Sequence, residues 1–316
     1  MSHYDGPVID AHHHFWEPER NRQPWLLPDA HIPFRYGNYD SIKKPYLPPD
    51  LLADAEGFKI VGTVTMETEW NEDDEVGEID YMQQVQDRFG LPSACVAHAV
   101  LNRPGVEETI EQLAERPIVR SIRHKPGQAA SPSLAASHPS LLMDPVWRKG
   151  YAAVERAGLT FDLQVAWWHL TEAADLANAF PDQLIIINHA ALPSDRSPEA
   201  MAGWEKAVRL MASLPNTVMK ISGIGLPGIP WVIENNRYIV ETLFEVFGAD
   251  RVMFASNFPV DSLCGSYGDI FGGFRELSSN WSPDEQRAAF AGTAIRVYRL
   301  DPQLLDAPRA TGTPGR

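Results

Sequence analysis

Val8-Ile9-Asp10-Ala11-His12-His13-His14-Phe15-Trp16 is the first apolar run of the chain, and it carries three consecutive histidines near its end. Side chains along a strand alternate between faces. Asp10, His12 and His14 are therefore expected to project together, with His13 on the other side. Two imidazoles on one face at a strand end can hold a metal or polarise a substrate oxygen. A solvated, histidine-rich edge is the alternative. Seven more such runs decide the fold. They lie at 60–68, 94–101, 119–124, 160–165, 184–189, 217–222 and 251–256. Most are continuously apolar, as expected of strands covered on both faces in a parallel sheet.

Helix signals separate these runs. Asp144-Pro145 reads as an N-cap followed by proline in the first turn, with Gly158 as a stop. Ser197-Pro198 opens a second helix, 199–214, halted by Pro215. Further helical stretches are 105–116, 171–180, 230–247 and 284–290. Eight strands alternating with helices in 316 residues imply a single-domain (β/α)8 barrel, with its core at about 8–300. A doubly wound sheet is the competing arrangement, but no glycine-rich phosphate loop follows the first strand. Two segments break the rhythm, 17–49 and the small, polar stretch 125–140 after the fourth strand. Residues 17–49 are rich in proline and aromatics and read as an ordered lid over the barrel mouth. Residues 306–316 read as a disordered tail.

Composition narrows the function. The chain is 44% hydrophobic and 22% charged, with a formal net charge of −15. That balance argues against nucleic acid and anionic membranes as partners, and leaves a small-molecule substrate. No run reaches the ~18 apolar residues of a membrane span. The first residues carry no basic-then-apolar signal pattern. The two cysteines, Cys95 and Cys264, match neither a disulfide framework nor a zinc motif. Cytoplasmic residence is the expectation. The sequence does not give the oligomeric state.

In a (β/α)8 barrel the site lies at the C-terminal ends of the strands. Those ends supply His12, His14 and Trp16, then Glu67 and Glu69, Arg123 and His124, His189, Lys220 and Ser222, and Ser256, Asn257 and Asp261. Glu67 and Glu69 precede an acidic run and also read as solvated. Lys220, inside an apolar run, reads either as a pocket cation or as a salt-bridged structural lysine, because a buried unpaired charge is costly. His98 and His169 have no evident partner and are taken as structural.

Five pieces in order carry a resemblance. They are Ile9-Asp10-Ala11-His12-His13-His14-Phe15-Trp16, Val119-Arg120-Ser121-Ile122-Arg123-His124, Ile187-Asn188-His189, Lys220-Ile221-Ser222-Gly223, and the stretch from Arg251 through Ser256-Asn257-Phe258-Pro259-Val260. Together they resemble the lactonase-type branch of the amidohydrolase superfamily. The resemblance implies that His12, His14 and His189 surround the reacting carbonyl, with or without one divalent ion such as zinc. It implies that Arg123 reads a substrate carboxylate or hydroxyl; His124, Lys220, Glu67 and Trp16 are further expected substrate contacts from their places at the strand ends. The resemblance also implies an aspartate on strand eight, where this chain has Asn257. An amide cannot take a proton from water, so Asp261, Glu67 or a histidine would have to act as base. The expected activity is hydrolysis of an anionic or sugar-derived lactone or a comparable ester. A metal-dependent decarboxylase and a non-catalytic binding barrel are the alternatives.

Overall fold

The computed structural model describes residues 4–71 and 73–312. Eight parallel strands run in sequence order around one sheet. They are β1 (Pro7–His13), β2 (Lys59–Met66), β3 (Ala94–His98), β4 (Val119–Arg123), β5 (Thr160–Leu163), β6 (Ile185–Ile187), β7 (Thr217–Ile221) and β8 (Val252–Phe254). Around them lie α1 (Pro48–Asp54), α2 (Glu75–Phe89), α3 (Val106–Ala114), α4 (Pro145–Arg156), α5 (Leu170–Ala179), α6 (Pro198–Ala212), α7 (Ile233–Phe247), α8 (Tyr267–Leu277), α9 (Pro283–Arg287) and α10 (Thr293–Val297), with a π-helical turn between the last two. This is the (β/α)8 barrel that the alternation implies. Among the described residues no helix is long and apolar enough to cross a membrane.

Local chemistry sets the boundaries. The Asp144 carboxylate accepts from the Val146 and Trp147 amides at the start of α4, and Ser197 caps α6 through the Ala200 amide. Each satisfies donors that a helix start leaves unpaired. Four helices escape the sequence reading, α1, α2, α8 and α10. In α2 the buried Ile79, Met82, Val85 and Phe89 are diluted by acids and glutamines. The start of α8 is marked by a Ser266/Asp269 capping box rather than by proline.

Inside the barrel, Ile9 and Ala11 pack with Val64, Val96, Ile186, Val218 and Met253, joined by Ala294 and Tyr298 from the C-terminal segment. The strict alternation expected of the first strand does not hold. The pairing of β1 with β2 shifts register between Asp10 and His13, and such an irregularity re-aims side chains. His12 and His14 stay together, but Asp10 turns to β8 and α8. It accepts from the Ser256 amide at 2.9 Å, the Ser256 hydroxyl at 2.6 Å and the Tyr267 hydroxyl at 3.3 Å. Burial pushes its carboxyl up to about 6, against the pull of those donors. Two backbone bonds complete the same seam, Asn257 N–H to His12 C=O and His14 N–H to Phe258 C=O, both 2.7 Å.

The tail expectation also changes. The Ala310 amide donates to the Ile60 carbonyl at 2.7 Å, and Arg309 donates to the Leu52 carbonyl at 2.6 Å. Residues through 312 are thus tied to β2 and α1, and 313–316 lie outside the described residues.

Because Asp10 is the acceptor for both Ser256 donors, Asp10→Ala should destabilise the fold. Each orphaned buried donor costs roughly 1–3 kcal/mol. The denaturant midpoint should fall accordingly; an unchanged midpoint would mean that the backbone bonds hold the seam alone.

Candidate active site

The strand ends surround a cavity of about 270 Å³. His14, Trp16, Glu67, Arg123, Gln164, His189 and Asn257 line it from the barrel, and Trp25, Phe34 and Arg35 from the 17–49 segment. That segment packs against the barrel. Trp16 donates through Nε1 to the carbonyls of Ile42 and Lys44. Trp25 donates to the Thr68 carbonyl and stacks on Phe34 with ring centroids 5.7 Å apart.

The three histidines come together. The His12 ring centre lies 5.4 Å from that of His14 and 4.3 Å from that of His189. His14 Nδ1 lies 3.2 Å from the Glu67 carbonyl. A carbonyl only accepts, so Nδ1 carries the proton and Nε2 keeps its lone pair. His189 Nδ1 shares a 2.9 Å hydrogen bond with the Ser222 hydroxyl. Burial, then Arg123, lowers the His14 imidazolium pKa to about 3. Burial, then Arg35, holds His189 well below its ordinary value. Burial, then His189 and Lys220, does the same to His12. All three rings are therefore neutral near pH 7. His189 opens a run, through Leu192, in which all four residues have positive φ. Such backbone is costly outside glycine, and it is a form of strain found at functional sites.

A divalent ion would need these imidazoles as donors. Both ring nitrogens of His12 are buried and free of hydrogen bonds, which favours an ion. Yet among the described residues no three His, Cys, Asp or Glu side chains are disposed to hold one, and strand eight offers an amide. The donor set as arranged does not fit a resident metal.

Asn257 sits in the cavity wall at φ +56°. Its Nδ2 donates to Asp261 Oδ1 at 2.6 Å, which leaves the amide oxygen as the acceptor on offer. Asp261 stands behind it rather than in the wall. Its Oδ1 also accepts from the Tyr36 hydroxyl at 3.0 Å. Burial raises its carboxyl from 3.8 to about 6, opposed first by Arg35.

Arg123 is in the wall, but its fork is engaged. Nε reaches Glu67 Oε1 at 2.6 Å, Nη2 the Glu67 carbonyl at 3.1 Å, and Nη1 Gln164 Oε1 at 3.1 Å. Burial alone would raise the Glu67 carboxyl, but Arg123, with His98 and Lys125, holds it well below the usual range. Two other expected substrate contacts stand outside this cavity. Lys220 is fully buried and paired with Asp162 Oδ1 at 2.8 Å, so the structural alternative describes its place. His124 accepts at Nδ1 from the Leu101 amide and from Trp147. It lines a neighbouring cleft with His98, Lys125 and Glu69. His169 is structural, held by the Ala129 amide and Glu172.

The sequence reading missed Gln164, Trp25 and Arg35 as individual wall residues, and the tightness at Gly223. Gly223 has φ +58°, and a methyl group there would stand 2.5 Å from His189 Nδ1 and 3.0 Å from Arg35 Nη1. Only glycine fits this approach. The run Lys220-Ile221-Ser222-Gly223 was the one available signal.

Comparison with known proteins gives the family and the fold. Residues 9–300 match the family described as amidohydrolase. A protein of Sinorhizobium fredii known only as y4mH is 36% identical, over 94% of this chain and 99% of its own. The L-fucono-1,5-lactonase of Burkholderia ambifaria is 27% identical, over 93% and 96%. A crystal structure of an amidohydrolase from Burkholderia multivorans with bound zinc superposes with a TM-score of 0.74. It is 23% identical, over 93% of this chain and 99% of its own, a likeness of fold.

The raised pKa of Asp261 gives a signed prediction. The folded state holds a proton that the unfolded chain has lost by pH 4. The favourable term is full below about pH 4 and is lost as pH rises through about 6. The shift corresponds to roughly 3 kcal/mol at pH 8. Asp261→Asn should therefore raise Tm at pH 8 and give no gain at pH 4. An equal change at both values would contradict the shift.

Proposed function

Because the chain belongs to the amidohydrolase family, we propose that it is a hydrolase that opens a lactone by adding water to the ring carbonyl. The observation that carries this is His14, whose Nδ1 is committed to the Glu67 carbonyl and whose Nε2 lone pair is therefore available in a cavity walled by aromatic rings. Such walls with a few placed polar groups suit a small organic ring.

In this reading, water attacks the carbonyl carbon while His14 Nε2 takes one of its protons. The carbon–oxygen π pair moves onto the carbonyl oxygen. When that pair returns, the bond from carbon to the ring oxygen breaks, and the imidazolium gives its proton to the departing alkoxide. The products are one carboxyl group and one hydroxyl group on a single open chain. Asn257, turned by Asp261 so that its amide oxygen faces the substrate, accepts from a substrate hydroxyl or from the attacking water. Asn257 thus positions, and the base is an imidazole. The substrate class is a small lactone, sugar-derived or bearing a negative group. The lactonase-named relative supports this reading.

The test is acid release, followed with a pH indicator, across a panel of 1,4- and 1,5-lactones, with carbon dioxide measured in parallel. Acid without carbon dioxide is expected. His14→Ala should lower kcat/KM at least tenfold, about 1.4 kcal/mol of transition-state stabilisation. Carbon dioxide release, or a His14→Ala variant of full activity, would overturn the reading.

A further inference from the structure

A lactone carbonyl that accepts water needs positive charge near its oxygen as well as a base. Three of the basic side chains at the strand ends are matched. Arg123 is paired with Glu67, Lys220 with Asp162, and Lys125 with Glu69. Arg35 is different. Its Nη2 donates to the Gly223 carbonyl at 2.7 Å, and its carboxylate neighbour, Asp261, acts on it through charge rather than as a contact ion pair. Nη1 packs against Gly223 beside His189. A single methyl group on Gly223 would crowd both, at 3.0 Å from Nη1 and 2.5 Å from His189 Nδ1. Arg35 also lines the cavity beside His14, His189 and Asn257. The next residue, Tyr36, is fastened to Asp261, so two consecutive lid residues are latched onto the loops after β7 and β8.

We propose that Arg35, delivered by the lid, is the cation that takes the developing negative charge on the lactone carbonyl oxygen. The donor set around His12, His14 and His189 does not fit an ion, and a guanidinium anchored beside His189 supplies charge without one. As the water oxygen bonds to carbon, the displaced π pair settles on the carbonyl oxygen, which accepts from Arg35 Nη1–H. When the ring C–O bond breaks, the same guanidinium holds the new carboxylate. Burial lowers the His189 pKa, and Arg35 is its leading charged neighbour in the same direction, in accord with a guanidinium close to that ring. The 17–49 segment thus completes the site by bringing the charge to the base.

This inference rests on the lactonase reading, and the experiment separates the two. Arg35→Met and Arg35→Lys are assayed on a neutral lactone and a carboxylate-bearing one, with Tm recorded. Loss of an oxyanion donor typically costs ~10²–10³ in kcat. Arg35→Met should lose that much on both substrates, with little change in KM or Tm. Arg35→Lys should recover part of it. Added methylguanidinium should restore part of the kcat of Arg35→Ala. Wild-type turnover should survive a chelator. A loss confined to KM for the carboxylate-bearing lactone would overturn the proposal, because Arg35 would then read a substrate anion. Full kcat in Arg35→Met, or a requirement for added zinc, would overturn it too. A binding measurement needs no turnover. Tryptophan fluorescence is used to titrate an aldonate, the open-chain product type, and its alditol, in several stereochemical series. The wild type should prefer the aldonate and Arg35→Met should not. If no lactone is opened but that preference is seen and lost, the anion site stands and the lactonase reading falls. No preference in any series overturns the anion site.

Discussion

The hydrogen bond from the Asn257 amide to the His12 carbonyl, 2.7 Å long, is the contact on which this molecule turns. It joins the segment after β8 to β1, and its donor and acceptor residues both belong to the site. A parallel barrel needs its last strand brought to its first. Here that seam is reinforced by His14 N–H to Phe258 and by the Asp10 carboxylate on Ser256. Closing the barrel and assembling the site are therefore one event. The register shift in β1 lets Asp10 serve the seam while His14 lines the cavity and His12 packs behind it against His14 and His189.

Electrostatics explains why so many polar groups can be buried at one place. An unpaired buried charge is prohibitive. The guanidinium of Arg123 and the ammonium of Lys220 each have a carboxylate at 2.6–2.8 Å. The histidines escape the cost by staying neutral, as burial and the surrounding cations both require. A neutral imidazole with one nitrogen committed is a directed lone pair. Behind it, Asp261 fixes the Asn257 side-chain amide and Tyr36 fixes Asp261, so a side chain in the wall is held by one outside it and by the 17–49 segment. Such supporting contacts keep a site in working geometry.

The sequence was legible where one residue type had one physical solution. Apolar runs buried on both faces read directly as β1 to β8, and the Asp144-Pro145 and Ser197-Pro198 starts as α4 and α6. The meeting of His12, His14 and His189 followed from their places at strand ends. What was hidden depended on register and on distant partners. The turn of Asp10 away from the histidines came from a pairing shift that alternation cannot show. The engagement of the Arg123 fork by Glu67 links residues 56 positions apart. The bond of Arg35 to Gly223 spans 188 positions, and inside a proline- and aromatic-rich segment nothing distinguishes that arginine. Lys220 was readable as costly to bury, but not as paired with Asp162.

Catalysis by an imidazole base requires that His14 present a neutral Nε2 lone pair to the cavity, with Nδ1–H held by the Glu67 carbonyl. Nitrogen-15 chemical shifts of the histidine rings, followed across a pH titration, report charge and tautomer directly. His14 should be a neutral Nδ1–H imidazole at every value from pH 5 to pH 8. A His14 ring that titrates near pH 6.5, or that carries its proton on Nε2, would contradict this assignment and the role built on it.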